Sequence, residues 1–326
     1  ADDAPPSNLG VACDDVTHLS AGGGDLVALV VDSGLRVVVV QLSPSPTILQ
    51  RVLYSSKVRL VALHQAPSKD RVELVALCVD GSLHKLALRT RGSSSGVPRP
   101  IPTDGVRLTR LACGDAHALA ASADGLFSWG DGARGALGHA DVADRAAPTA
   151  LALPPPHDGW RIGALAAGGG ASAVVAVRPR GGGDAAPLAT AVLSWGAGEH
   201  LGHPPAAAAD ELTLRARRLN NGVATGGDGW AATASGALLR PAPAEVAALR
   251  HAQVVSLSLG SAHAVAATLG GAAWSWGRGD HGELGLALNK GATARPLPAA
   301  VPMGGVGVRA ALCADGATVV LGEKPQ

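Results

Sequence analysis

Residues 129–138 read "WGDGARGALG". Within them Gly130, Gly132 and Gly135 spell G-x-G-x-x-G, a pattern that cradles a dinucleotide only where a strand leads in and a helix leads out. The strand is there: "GLFSW", Gly125 to Trp129, is short, apolar and opened by the turn pair Asp124-Gly125. The helix is not. Gly138, Pro148 and the prolines at 154 to 156 interrupt the following stretch before an amphipathic face can form.

The stretch then recurs. Residues 276–285, "WGRGDHGELG", match it at the tryptophan, at all four glycines and at the leucine before the last glycine, 147 residues downstream. A shorter copy, "WGAGEHLG", runs from Trp195 to Gly202. A cofactor loop is normally built once per domain, whereas a structural corner recurs wherever the chain repeats a unit. Gly130, Gly135, Gly138, Gly196, Gly277, Gly282 and Gly285 are therefore read as architecture, and no cofactor site is expected.

The rest of the composition agrees with a repeat of short strands. The 326 residues hold 44 glycines and 22 prolines, with β-branched runs such as "LRVVVVQL", "VVSLSL" and "ATVVL" between turn signals. Alanine is abundant but alternates with Gly, Pro and Ser, so it reads as a compositional bias and not as helical faces. The expected class is all-β.

Charge excludes some functions. With 27 Lys and Arg against 26 Asp and Glu, no global field favours nucleic acid or a membrane surface. The first basic residue is Arg36, so no basic N-terminal arm is present to grip phosphates. Cys13, Cys78, Cys113 and Cys313 form no C-x-x-C pair, which speaks against zinc and for free thiols in a reducing compartment. The longest apolar runs are strand-sized, so no membrane span is expected. The chain begins "ADDAPP" without a methionine, which leaves room for an upstream or targeting segment.

Upstream of each Trp-Gly pair sits a second motif. Residues 111–129, "LACGDAHALAASADGLFSW", contain a small-residue strand, a turn with Gly114 and His117, an apolar strand, and a turn into a third strand. Residues 257–276, "LSLGSAHAVAATLGGAAWSW", repeat it with Gly260 and His263. These residues resemble the repeat of the regulator of chromosome condensation family. That resemblance implies a seven-bladed β-propeller with one four-stranded sheet per blade.

With this template, degenerate copies place unit starts near residues 19, 61, 111, 165, 224, 257 and 311, in one domain spanning 1–326. The unit at 224 is short and lacks a Trp-Gly pair, and Trp230 stands at its His position. The last unit stops after two strands, so the N-terminal "NLGVACDDV" is expected to complete it and close the ring. Trp129, Trp195 and Trp276 are expected to pack between neighbouring blades, and His117 and His263 to satisfy backbone carbonyls in their turns, since an acid–base histidine has no reason to recur in a repeat. No catalytic, cofactor-binding or metal-binding residues are assigned. The R-G-D at Arg278 to Asp280 falls inside a repeat and is explained by it.

The expected function is a non-catalytic protein–protein interaction platform, an adaptor in a larger assembly, with partner choice carried by variable segments. The basic, Pro/Gly/Ser-rich stretch around Arg89, Arg91 and Arg99 is one candidate, and 178–187, 203–222 and 240–250 are others. Two alternatives stay open because the resemblance implies them: guanine-nucleotide exchange on a small GTPase, for which 203–225 is the one insertion of suitable size, and chromatin or nucleosome binding, against which the neutral charge counts. Direct nucleic-acid binding is disfavoured. The expected location is intracellular, cytoplasmic or nuclear, with an organelle as an open alternative.

Overall fold

Val37, Val38, Val39 and Val40 are successive residues of one strand, and all four are buried. A strand buried on both faces is sandwiched between layers, and this arrangement recurs along the chain. The computed structural model describes residues 18–22, 26–31, 36–41, 47–53, 57–65, 71–89, 97–178, 189–219, 222–287, 292–314 and 317–323. They form six sheets in two compact units, 1–116 with 120–123 and 117–119 with 124–326.

The first unit holds two antiparallel meanders. One runs β1 (His18–Gly22), β2 (Leu26–Val31), β3 (Arg36–Gln41) and β4 (Thr47–Leu53); the other runs β5 (Val58–Gln65), β6 (Arg71–Cys78), β7 (Leu83–Arg89) and β8 (Arg99–Ile101). Val30, Val37, Val39, Val61, Leu74 and Leu86 join a shared apolar core. Strand β9 (Arg110–Cys113) also belongs to this unit.

The second unit continues the pattern. Strands β10 (His117–Ala121), β11 (Leu126–Gly130) and β12 (Arg145–Leu151) stand side by side. Next come β13 (Arg161–Gly168), β14 (Gly170–Val177) and β15 (Thr190–Ala197), then helix α1 (Ala209–Ala216), the hairpin β16 (Val223–Thr225) and β17 (Ala231–Thr233), and β18 (Leu238–Glu245). A further meander, β19 (Val254–Leu259), β20 (His263–Thr268), β21 (Ala273–Arg278) and β22 (Ala294–Val301), precedes the pair β23 (Gly307–Ala314) and β24 (Ala317–Glu323).

Alanine, which composition alone presents as a bias, has a structural use. Strand β10 is buried at every position, as is β20, and β14 at all but its last residue. Alanine is the commonest residue of these second strands and valine the next, small side chains that suit a strand covered on both sides.

The segment after Gly138 leads into strand β12 and not into a helix, in keeping with a corner. Corrections concern the unit expected near 224. It opens no sheet of its own: β18 pairs with β15, completing a four-stranded sheet, and the β16–β17 hairpin adds to its outer edge. Residues between β15 and β18 are thus an insertion, and the seven units read from the sequence correspond to six sheets among the described residues. Residues 61, 165, 257 and 311, in contrast, each lie one position past a β-bulge in the first strand of their sheet. The segment proposed to close the ring, 8–16, lies outside the described residues. Among the described residues no helix is long and apolar enough to cross a membrane.

Candidate interaction site

The Trp-Gly pairs sit at one repeated irregularity. Between the third and fourth strands the register shifts at Ser128/Gly130, Ser194/Gly196 and Ser275/Gly277. Gly130, Gly196 and Gly277 take φ of 108°, 101° and 102°, a region closed to most side chains, so each bulge is written as Trp-Gly. The bulge turns Trp195 and Trp276 toward the preceding sheet. Trp195 is fully buried with Leu119, Leu126 and Leu151, and Trp276 is buried with Val175, Val192 and Ala166. Trp129 is also buried.

The indoles of Trp195 and Trp276 are fixed by the corner of the sheet before each. Trp195 Nε1 donates to the Ala136 carbonyl at 2.8 Å, and Trp276 Nε1 donates to the His200 carbonyl at 2.8 Å. Ala136 and His200 occupy matching places two residues before the last glycine of their corners, Gly138 and Gly202. The indoles lie against those glycines: a Cβ on Gly138 would stand 2.8 Å from Trp195 Nε1, and one on Gly202 3.1 Å from Trp276 Nε1.

His117 and His263 each reach a hydroxyl on the next sheet. His117 Nε2 lies 2.8 Å from Ser172 Oγ, and Ser172 Oγ donates to the Ala136 carbonyl at 2.8 Å. His263 Nε2 lies 3.1 Å from Thr318 Oγ1, which donates to the Glu283 carbonyl at 2.7 Å. Since each hydroxyl spends its one proton on the carbonyl, the histidine is the Nε2–H donor. The imidazole reaches past its turn because a relay hydroxyl on the next sheet offers a buried acceptor.

Sequence reading missed the serine before each tryptophan. Ser128 and Ser275 donate to the carbonyls of Leu137 and Leu284 at 2.7 Å, and Ser194 donates to Leu201. These bonds close the corners, and the signal was legible: all three corners read Ser-Trp-Gly and end Leu-Gly. The remaining repeat glycines fall into the same scheme. Gly114 is buried between β9 and β10, Gly260 donates its N–H to the His263 carbonyl at 2.8 Å, a Cβ on Gly135 would meet Pro241 Cα at 2.9 Å, and Gly282 and Gly285 have positive φ in the third corner.

Metal-ligand residue types converge once among the described residues. Donor atoms of Asp280, His281 and Glu283 lie within 4.8 Å of one another. The guanidinium of Arg278 is already placed there, its Nε 3.2 Å from Asp280 Oδ1 and 3.9 Å from Glu283 Oε1. The R-G-D arginine and aspartate are thus paired with each other.

The surface available to a partner lies elsewhere. Helix α1 buries Leu212 and Ala216 against the inserted hairpin, where Trp230 is buried beneath the Arg240 guanidinium, 5.2 Å from the ring. Trp230 therefore belongs to the core of the insertion and not to a repeat position. The opposite side exposes Leu214 and Leu219 by about half, 53% and 48%, beside exposed Arg215, Arg217 and Arg218. Of the other candidate, Arg99 is exposed at the start of edge strand β8, opposite Lys85, and not in a loop; Arg89 ends β7, and Arg91 lies outside the described residues.

The Regulator of chromosome condensation (RCC1) repeat family matches residues 254–283, which run from β19 to the third corner. The fold superposes on Prp20p from Saccharomyces cerevisiae, a protein described with its binding properties to Gsp1p and histones, with a TM-score of 0.67 at 20% identity, covering 95% of this chain and 69% of that one. The fold is an RCC1-like β-propeller. Relatives carry the same repeats: the ultraviolet-B receptor UVR8 of Arabidopsis thaliana is 30% identical over 54% of this chain and 31% of its own length. The mitochondrial RCC1 domain-containing protein RUG3 of Arabidopsis thaliana is 36% identical over 26% of this chain and 19% of its own. The chain therefore matches less than a third of either relative's length.

Proposed function

We propose that this RCC1-like propeller is a non-catalytic protein–protein interaction platform, an adaptor subunit of a larger assembly. The observation that carries this reading is the inserted helix: Leu214 and Leu219 stand exposed among three arginines, on an element that the repeat itself does not need. Apolar side chains ringed by cations suit a protein surface carrying acidic residues. The basic stretch with Arg89, Arg91 and Arg99 is a further contact in this reading. We place the protein in a reducing compartment, nucleus or cytoplasm, because the described cysteines, Cys78, Cys113 and Cys313, are free thiols; the mitochondrial relative leaves an organelle as the alternative. The reading includes ring closure, with 8–16 completing the β23–β24 pair, whose Leu312 and Val319 are exposed by half.

Tagged full-length protein, purified from its own cells at moderate salt, tests the proposal. A stoichiometric partner that the Leu214→Asp/Leu219→Asp variant loses supports it, and equal recovery with the variant removes the helix from the interface. A second reading, nucleotide exchange on a small GTPase, is favoured by the likeness to Prp20p, described with its binding to Gsp1p, and the same likeness keeps histone binding as a third. No acceleration of nucleotide release across a GTPase panel in stopped flow would sink the exchange reading.

A further inference from the structure

Two connections between sheets meet over the start of β15 and enclose a cleft of about 260 Å³. One, between β12 and β13, brings His157 and Trp160; the other, between β18 and β19, brings Arg250 and His251, with Glu245 at the end of β18. Nothing in the repeat places these groups here: the corners, relay hydroxyls and indoles all lie elsewhere.

His157 is only 5% exposed, and its Nδ1 has no hydrogen-bond partner. Its Nε2 lies 3.8 Å from Glu245 Oε2, beyond a hydrogen bond, and its ring stands edge-on to Trp160 at 4.8 Å. A buried polar atom left unpaired costs free energy unless something arriving in the cleft pairs with it. Glu245 cannot serve, because Arg250 holds both its oxygens, at 2.9 and 3.0 Å, and that bond also keeps its carboxyl below the usual carboxylate range.

Glu245 is thus occupied by Arg250. The Arg178 guanidinium lies 5.4 Å over the ring of Trp160, which lines the cleft, and His251, which also lines it, is exposed. The cleft therefore offers an unpaired imidazole nitrogen and an indole wall, with a guanidinium over that indole, in a volume that takes a single side chain. From this geometry we infer a recognition pocket for one carboxylate side chain of a peptide, with an apolar neighbour resting on Trp160. The pocket deepens the platform reading and rests on it only for the source of the peptide. The occupancy of the cleft itself is a property of the isolated protein.

The test uses full-length protein labelled with ¹⁵N in its six tryptophans, with the Trp160 indole signal identified by its loss in Trp160→Phe. The probes are Ac-Glu-Leu-NH₂, Ac-Gln-Leu-NH₂ and sodium acetate, each titrated into the millimolar range. The glutamyl peptide is expected to shift the Trp160 signal saturably, with the glutaminyl peptide about 10-fold weaker, the factor that loss of one charge-assisted bond produces. Arg178→Ala, an exposed substitution that leaves the core untouched, should weaken the glutamyl peptide by a similar factor, and His157→Gln should do the same. No shift, equal shifts with both peptides, or an unchanged response in Arg178→Ala would overturn the inference. Acetate saturating the signal at the concentration of the glutamyl peptide would overturn the peptide as the source. None of these outcomes bears on helix α1, so the pocket and the platform can fail separately.

Discussion

His117 Nε2 is held by Ser172 Oγ, 55 residues further along the chain and on the next sheet, and His263 is held by Thr318 across the same separation. Between these two interfaces lies one that lacks both partners: Ala171 stands at the histidine position of the sheet of β13–β15 and β18, and Ala264, opposite Trp276 as Ser172 is opposite Trp195, stands at the hydroxyl position of the next. Histidine and hydroxyl are thus kept or dropped together.

Pairwise retention predicts non-additivity. Ser172→Ala leaves the buried His117 N–H without its acceptor and should cost about 1–3 kcal/mol. Adding His117→Ala to that variant should cost clearly less than His117→Ala does alone, because the orphaned donor disappears with the ring. Denaturant unfolding of the two single variants and the double variant measures the coupling. Strict additivity would show that the bond contributes nothing of its own.

The glycines that face indoles make a second prediction. Gly138 has φ of 82°, and a Cβ there would meet both Trp195 Nε1 at 2.8 Å and Leu151 Cδ2 at 2.9 Å. Gly202 has φ of 77°, with nearest approaches of 3.0 Å to Val246 Cγ1 and 3.1 Å to Trp276 Nε1. Gly138→Ala and Gly202→Ala should each destabilise by roughly 1–3 kcal/mol through backbone strain and overpacking. Gly138→Ala should be the worse, because its neighbours are closer. The reverse order in thermal unfolding would count against this account of the corners.

Acid should find the second unit first. Burial pushes His200 and His203 down to about 4, from an ordinary value near 6.5. Above pH 6.5 both are neutral whether the chain is folded or not, and they give no pH dependence. Between 6.5 and about 4 the unfolded chain takes up protons that the folded chain refuses, so stability falls as pH falls, by at most ~1.4 kcal/mol per pH unit for each histidine. Urea midpoints measured across that window should slope downward toward acid. His203→Asn should flatten the slope, and an unchanged slope would assign the acid sensitivity to other groups.

Much of this architecture was legible because it repeats. Three corners with the same Trp, Gly and Leu, and two His turns, suffice to name sheets of short strands, since local chemistry recurs where local geometry recurs. The insertion was harder to read. Gly227 to Leu239 has the strand and turn chemistry of a blade, but β17 and β16 pair at the outer edge of β18, a choice made by Leu212 and Trp230 packing together and invisible in strand periodicity. The relay through Ser172 was hidden for a related reason. A hydroxyl 55 residues from its histidine has no local signature, and only the fold brings the two together. The cleft around His157 depends in the same way on two connections far apart in sequence.

The last prediction concerns the surface of helix α1. Arg215, Arg217 and Arg218 are exposed, and the structural bond among them is the one from Arg217 Nε to the Ala234 carbonyl at 3.2 Å. Reversing Arg215 and Arg218 to Glu removes no buried contact, so stability should change by less than about 0.5 kcal/mol. Binding of an acidic partner should nevertheless weaken, chiefly through slower association and with a shallower salt dependence, because exposed charges steer encounter more than they hold a complex. Arg99→Glu, on an edge strand opposite Lys85, is the matched control for the other basic stretch. Association rates measured at two salt concentrations separate the cases. Loss only in the helix variant assigns the contact to the insertion, loss only in Arg99→Glu moves it to β8, and loss in both assigns a contact to each.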